Sequence, residues 1–151
     1  TGQVPIDRSG GQASEAALNT GLRILGKGDL LALYPEGTRS PDGKLYRGRT
    51  GAARMALHAE VPVIPVAMIG TFEAQPTGQL KPSLRRIGVR IGRPIDLSRY
   101  YGMADDRFVL RSATDEMMYD LMQLSGQTYQ DIYANVAKEQ IKETRAAQRR
   151  A

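Results

Sequence analysis

The chain has 151 residues and a formal net charge of +5, with 41% hydrophobic and 25% charged residues. This is the composition of one folded domain, and it excludes a mainly disordered or collagen-like chain. The sequence has no cysteine and one histidine, which excludes disulfides, cysteine-ligated metals, a cysteine nucleophile and a multi-histidine metal site within one chain.

Helical and strand-like apolar patterns alternate along the sequence. The first predicted elements are a helix within residues 9–28, a buried strand over Asp29–Tyr34, a loop over 36–48 and a small-residue helix over Thr50–Ala59. A buried strand over Val61–Met68, a polar loop over 72–86 and a strand over Ile87–Ile91 follow. The last elements are an amphipathic helix over Asp105–Leu124 that Gly126 stops, and a second helix from Gln127 to about Arg149.

This order predicts an α/β fold, a mainly parallel sheet flanked by helices, with helices at the C-terminus. Residues 1–125 are expected to form the main domain and residues 126–151 a helical tail. Ligands bind such sheets at the carboxyl ends of the strands. The two most unusual stretches, Ile6–Gly10 and Tyr34–Ser40, both follow candidate strands, so we expect them at one edge of the sheet.

Positive charge is concentrated in two segments, with a surplus of +3 in residues 36–54 and of +5 in residues 81–99. Such clusters favour anionic ligands such as phosphate, CoA or anionic lipid, although a solvated surface is an open alternative. Only 6% of the residues are aromatic and tryptophan is absent, which argues against a nucleic-acid partner. The longest apolar run, Val61–Ile69, is about half of the ~20 residues that a membrane span needs.

The segment from Pro35 to Ser40 has the residue types of an anion site. Glu36 supplies a carboxylate, Gly37 lets the backbone approach a ligand, and Arg39 offers the bidentate guanidinium that suits a phosphate. Arg8 adds a second cation at the same predicted edge. The alternatives are an ion pair of Arg39 with Glu36 or a nearby acid, and an ion pair of Arg8 with Asp7 or Asp29.

Tyr34-Pro35-Glu36-Gly37-Thr38-Arg39-Ser40 resembles the Phe-Pro-Glu-Gly-Thr-Arg-Ser motif of the glycerolipid acyltransferases, which include the bacterial 1-acyl-sn-glycerol-3-phosphate acyltransferases. Pro5-Ile6-Asp7-Arg8 resembles the preceding family block, and Val61–Ala67 resembles the last one, an apolar strand around a proline. The spacing of the three blocks also matches. The segment through Leu124–Gln127 is similar to the actinobacterial branch of the family.

The resemblance implies an enzyme that moves an acyl group from acyl-CoA or acyl carrier protein to the free hydroxyl of lysophosphatidate, making phosphatidate without a cofactor or metal. It implies that Arg8 and Arg39 bind the substrate phosphate. It further implies that Glu36 and Gly37 shape the glycerol-phosphate pocket, that Thr38 is among the substrate-binding residues, and that Pro65 and its neighbours support an acyl-binding wall. The enzyme is expected at the cytoplasmic face of a membrane, as a peripheral protein.

One family feature is missing from the 151 residues. The family's general base is a histidine followed five residues later by an aspartate, but five residues after His58 stands Val63, and His58 follows the motif that it should precede. His58 is therefore predicted to be structural. The catalytic block is expected upstream of Thr1, which makes this chain the C-terminal portion of the enzyme.

Several alternatives remain on the sequence alone. A non-catalytic module that binds lipid phosphate or a membrane surface would keep Arg8 and Arg39, and the acceptor of an enzyme would be another lysolipid or glycerol-3-phosphate. A nucleotide-binding P-loop is disfavoured because Leu45 stands where Ser or Thr must hold magnesium, and no Gly-x-Ser-x-Gly elbow supports a serine hydrolase. The cations expected to face anionic headgroups are Arg85, Arg86, Arg90 and Arg93.

Overall fold

The computed structural model describes residues 12–148, without the side chains of residues 12–14 and 145. Its helices are α1 (Gln12–Leu25), α2 (Gly51–Ala59), α3 (Thr71–Ala74), α4 (Arg107–Ser125) and α5 (Ala134–Gln148), with a 3₁₀ turn at Ser98–Tyr100. Its strands are β1 (Leu45–Tyr46), β2 (Val66–Ile69), β3 (Gly88–Ile91) and β4 (Tyr129–Gln130). The α/β class and the C-terminal helices are confirmed.

The described strands form two pairs. β1 and β4 are parallel, with Leu45 opposite Tyr129, whereas β2 and β3 are antiparallel, with Val66 opposite Ile91. The four-residue β2–β3 pair lies against α4. Within β2 the side chains alternate, since Ala67 is buried while Val66 and Met68 are exposed.

The main core lies between α2 and α4. Small side chains let these helices approach closely, since Ala53 on α2 and Ala113 on α4 are both fully buried. Leu57 and Leu97 fill the space around them. Burying a leucine is worth roughly 1.5–3 kcal/mol, so this cluster anchors the part of the chain around it.

Helix α4 begins two residues after the predicted start at Asp105, and it ends before Gly126 as predicted. The Asp106 carboxylate accepts hydrogen bonds from the backbone N–H groups of Phe108 (2.7 Å) and Val109 (3.1 Å), satisfying two donors of the first turn. At the other end Gly126 adopts a left-handed backbone with φ of 72°, and its N–H donates to the Met122 carbonyl. A rigid α4 is thus available as a support for the loops packed on it.

Several predicted boundaries were wrong. Asp29–Tyr34 is not a buried strand: no strand of the described residues pairs with it, and Leu30 is 93% exposed. The strand predicted from Val61 begins at Val66, because Pro62 and Pro65 have no N–H to donate to a ladder. Strand β4 precedes the C-terminal helix, which therefore starts at Ala134 instead of Gln127. The short strand β1 and the single-turn helix α3 lie in segments predicted as loops.

Candidate functional site

A cleft of about 930 Å³ opens along residues 32–40, the segment that carries the acyltransferase-like motif. Arg39 and Lys138 contribute positive charge to its lining, and Glu36 contributes a carboxyl group. The apolar side chains that line it include Leu33, Val66, Met68, Phe72 and Leu121. One cleft therefore offers both cations and an apolar wall, the two surfaces that an amphiphilic anion requires.

The start of the motif is a tight turn. The N–H of Gly37 donates to the carbonyl of Tyr34 (3.0 Å), and the N–H of Arg49 donates to the carbonyl of Pro35 (2.8 Å). Gly37 has a φ of 69°, and a Cβ there would lie 3.2 Å from Cδ of Arg49. Both the left-handed backbone and the close side chain of Arg49 explain glycine at this position.

Glu36 points inward from this turn. Its Oε2 accepts a hydrogen bond from the backbone N–H of Tyr46 (2.9 Å), a residue that is buried in strand β1. Burial raises the pKa of Glu36 to about 7, against the opposing effects of the Tyr46 hydrogen bond and the positive charge of Lys138. The Glu36 carboxyl therefore changes protonation near neutral pH, inside the cleft.

The second half of the motif is fixed by hydrogen bonds from three directions. The Oγ of Ser40 accepts from the N–H of Gly43 (3.0 Å), closing the turn. The carbonyl of Ser40 accepts from the hydroxyl of Thr77 (2.7 Å), and the carbonyl of Gly43 accepts from the side-chain amide of Gln127 (2.6 Å). The loop is thereby tied to the segment after β2 and to the end of α4, which fits a preformed site.

Arg39 and Thr38 lie side by side on the cleft wall. Arg39 is exposed, and no carboxylate within residues 12–148 lies in ion-pair distance of it, so the alternative of an Arg39–Glu36 pair is wrong. The hydroxyl of Thr38 accepts a hydrogen bond from Nζ of Lys138, which belongs to α5. Arg39, which carries a guanidinium, therefore directly follows Thr38, which the ammonium group of Lys138 contacts.

Pro65 is buried and does not line the cleft. Its carbonyl accepts from the N–H of Gly92 (2.9 Å), and a Cβ on Gly92 would lie 2.8 Å from its Cγ. The residues that follow it, Val66 and Met68, are the ones exposed in the cleft. The position of Pro65 is that of a support beneath an apolar wall.

Of the other five cations that the sequence singled out, four lie within the described residues. Arg8 lies outside the described residues. Arg90 donates a hydrogen bond to the carbonyl of Leu124 (3.2 Å), so its side chain is held at the end of α4. Arg85, Arg86 and Arg93 are exposed.

His58 lies at the end of α2 and is not among the residues that line the cleft. Its Nε2 is 3.5 Å from Oδ1 of Asp105, a surface carboxylate. This position agrees with the structural role predicted for His58. Among residues 12–148 no three carboxylate or histidine side chains converge on a point where they could hold a metal ion.

Lys138 is a charged cleft residue that sequence reasoning missed. It lies 100 positions after its partner Thr38, and its only sequence signal is the basic stretch at the start of the tail. Tyr46 was also missed, because its contribution to the site is a backbone N–H, which any residue other than proline would supply.

Comparisons with known proteins show that this chain is similar to acyltransferases. Residues 1–69 match the family model for acyltransferases, so the resemblance to the glycerolipid acyltransferases is confirmed. The chain is 36% identical over 77 residues to a chloroplastic 1-acyl-sn-glycerol-3-phosphate acyltransferase of Arabidopsis thaliana, covering 51% of this chain and 22% of the relative. It is 32% identical over 94 residues to the 1-acyl-sn-glycerol-3-phosphate acyltransferase of Limnanthes alba, covering 62% of this chain and 34% of the relative.

The fold is similar to a solved structure of the same class. The crystal structure of the 1-acyl-sn-glycerophosphate acyltransferase PlsC from Thermotoga maritima matches with a TM-score of 0.57 and 27% identity, covering 72% of this chain and 44% of that one. The chain thus spans roughly a fifth to a third of the length of the two plant relatives described above.

Proposed function

Since residues 1–69 match the acyltransferase family, we propose that this chain forms the acceptor-binding part of a 1-acylglycerol-3-phosphate O-acyltransferase. The reaction moves a fatty acyl group from acyl-CoA or acyl carrier protein to the free hydroxyl of lysophosphatidate and gives phosphatidate. The observation that carries the proposal is the meeting of cationic and apolar walls in the cleft of residues 32–40. No residue of the chain is assigned as the general base.

The motif residues supply the polar end of this acceptor site. Arg39 presents a guanidinium to the phosphate, which it suits because two N–H groups match two phosphate oxygens. Glu36 and Gly37 form the turn against which the glycerol-phosphate lies, and Thr38 contributes a hydroxyl. Arg8 is proposed as a second phosphate ligand by its resemblance to the family block alone.

The acyl chain is assigned to the exposed face of β2 and β3. Val66 lies opposite Ile91 and Met68 lies opposite Val89, and all four side chains are exposed on the same face. Val66 and Met68 also line the cleft, so the apolar face is continuous with the polar end. Pro65 supports this wall from below.

The test is an acyl-transfer assay on the complete protein, with lysophosphatidate as acceptor and acyl-CoA or acyl carrier protein thioester as alternative donors. Phosphatidate is expected as product, identified by mass spectrometry. Glycerol-3-phosphate and lysophosphatidylcholine serve as alternative acceptors. Faster acyl transfer to either of them than to lysophosphatidate would identify another preferred substrate. Binding of lysophosphatidate with no acyl transfer from either donor would support the non-catalytic lipid-phosphate module instead.

Replacing His58 by alanine is expected to leave kcat/KM for lysophosphatidate within about 3-fold of the wild-type value. A general base contributes about 10²–10⁴-fold to a rate, whereas His58 contacts a surface aspartate at the end of α2. Steady-state kinetics of the two proteins provide the comparison. A fall of two or more orders of magnitude would mean that His58 belongs to the catalytic machinery.

We further infer that the protein works on the cytoplasmic face of a membrane, as a peripheral protein, since its acceptor is a lipid and its donors are cytoplasmic thioesters. No helix within residues 12–148 has the length and apolar character needed to cross a bilayer. The contact surface is assigned to the 80–87 segment, which begins three residues after Thr77, a residue of the cleft. It combines exposed leucines, Leu80 and Leu84, with exposed cations, Arg85 and Arg86.

Replacing Arg85 and Arg86 by serine is expected to weaken binding to anionic vesicles by about 30-fold. Each cation near an anionic bilayer is worth about 1 kcal/mol, and two of them give this factor. Sedimentation with phosphatidylglycerol vesicles and with phosphatidylcholine vesicles measures the effect. Arg107→Ser, which removes an exposed charge at the start of α4, is the matched control. Equal losses in the two proteins would exclude the 80–87 segment as the contact surface.

A further inference from the structure

The C-terminal helix contributes a cation to a cleft that is otherwise built from residues 32–77 and the end of α4. Nζ of Lys138 donates a hydrogen bond to the hydroxyl of Thr38, and its charge acts on the carboxyl of Glu36. Lys138 is half-buried and lines the cleft. An ammonium group has three N–H donors, so two remain for a further partner after the bond to Thr38.

The position of Lys138 is held by contacts on either side of it in the sequence. Tyr46, Ala134 and Ala137 form a second small core in which all three are buried. The side-chain amide oxygen of Asn135 accepts from Arg49, whose guanidinium also lies over the ring of Tyr133 at 5.4 Å. These contacts fix the first turn of α5 against the segment that follows the motif, so the lysine is delivered to the cleft by packed structure.

We propose that Lys138 is a phosphate ligand of the acceptor site, which the motif and the C-terminal helix therefore share. The inference rests on the proposed function. Lys138 bonds to Thr38, Arg39 is the next residue in the chain, and both cations line the cleft. Together they supply two positive charges to a phosphomonoester that carries close to two negative charges at neutral pH. When the hydroxyl of Thr38 accepts from Lys138, its own proton is free to be donated to a phosphate oxygen.

The proposal predicts a specific kinetic signature for Lys138→Met, which keeps the length of the side chain and removes the charge. KM for lysophosphatidate is expected to rise by about 10-fold to 100-fold, the range for one charge-assisted hydrogen bond, while kcat changes by less than about 3-fold. Lys138→Arg is expected to recover most of the loss. Steady-state kinetics of the complete protein give both values.

Lys142→Met is the matched control, because Lys142 lies one turn further along α5 and is exposed. A KM that rises equally in the two variants would overturn the proposal. A fall in kcat with no change in KM would also overturn it, since that result assigns to Lys138 only the neutralisation of Glu36. Thermal unfolding of each variant separates a loss of binding from a loss of folding, and Lys138→Arg serves as the readout if the methionine variant does not fold.

A binding measurement keeps this inference distinct from the proposed function. Titration calorimetry with glycerol-3-phosphate compares the wild-type protein, Lys138→Met and Lys138→Arg. Weaker binding by the methionine variant alone supports the phosphate site even if the wild-type protein transfers no acyl group, in which case only the acyltransferase proposal fails. Equal affinities overturn the role of Lys138 even if acyl transfer is observed.

Discussion

Replacing Arg39 by alanine is expected to lower kcat/KM for lysophosphatidate by about 100-fold in the complete protein. Arg39 is exposed on the cleft wall, and within residues 12–148 no carboxylate holds it in an ion pair. Its guanidinium can therefore be satisfied by the substrate. A 100-fold loss corresponds to about 2.7 kcal/mol, just below the lower end of the sum for two hydrogen bonds to a charged phosphate at about 1.5–3 kcal/mol each, as expected for an exposed guanidinium.

Most of the change is expected in KM, because the phosphate is bound equally in the ground state and in the transition state of acyl transfer. Arg39→Lys keeps the charge but loses the bidentate geometry, so it should fall between the wild type and the alanine variant. Arg107→Ala, which removes an exposed arginine at the start of α4, controls for the change in net charge. An unchanged kcat/KM for Arg39→Ala would remove this residue from the site.

The part of the site that could be predicted from sequence is the part that is local in the chain. Glu36, Gly37, Thr38 and Arg39 are consecutive, and their shared loop follows from the turn that Pro35 begins and the positive φ that Gly37 adopts. The helix caps of α4 were predictable for the same reason, since Asp106 and Gly126 bond only to residues two to four positions away. Local hydrogen bonding leaves a clear pattern in the sequence.

The part that could not be predicted depends on contacts between distant residues. Lys138 lies in the cleft because Ala134 and Ala137 pack on Tyr46, and nothing in the composition of the tail specifies that partner. The segment Asp29–Tyr34 has the apolar composition of a buried strand, but a strand also requires a neighbour to pair with, which composition does not supply. Pairing partners and long-range packing therefore had to come from the structure.

A second large effect is expected on stability, at the corner where β2 meets α3. Gly70 has a φ of 80°, and a Cβ there would lie 2.5 Å from the backbone carbonyl oxygen of Arg86. Gly70→Ala therefore meets two penalties: the left-handed backbone, which costs a residue with a side chain about 1–2 kcal/mol, and an overlap that only a shift of the β2–β3 hairpin can relieve. The free energy of unfolding is expected to fall by about 2–4 kcal/mol, measured by urea denaturation.

Gly78→Ala is the matched control for this prediction, because Gly78 also has a positive φ, of 99°, but a Cβ there would meet no atom within 4 Å. It should show the backbone penalty alone, so the difference between the two variants isolates the overlap with Arg86. Equal losses of stability would mean that the β2–β3 pair shifts with no cost in free energy of unfolding.

Thr71 and Phe72, directly after Gly70, line the cleft, and a Cβ on Gly43 would lie 2.9 Å from the ring of Phe72. A shift at Gly70 therefore reaches the motif loop through Phe72, and Gly70→Ala should weaken glycerol-3-phosphate binding while Gly78→Ala does not.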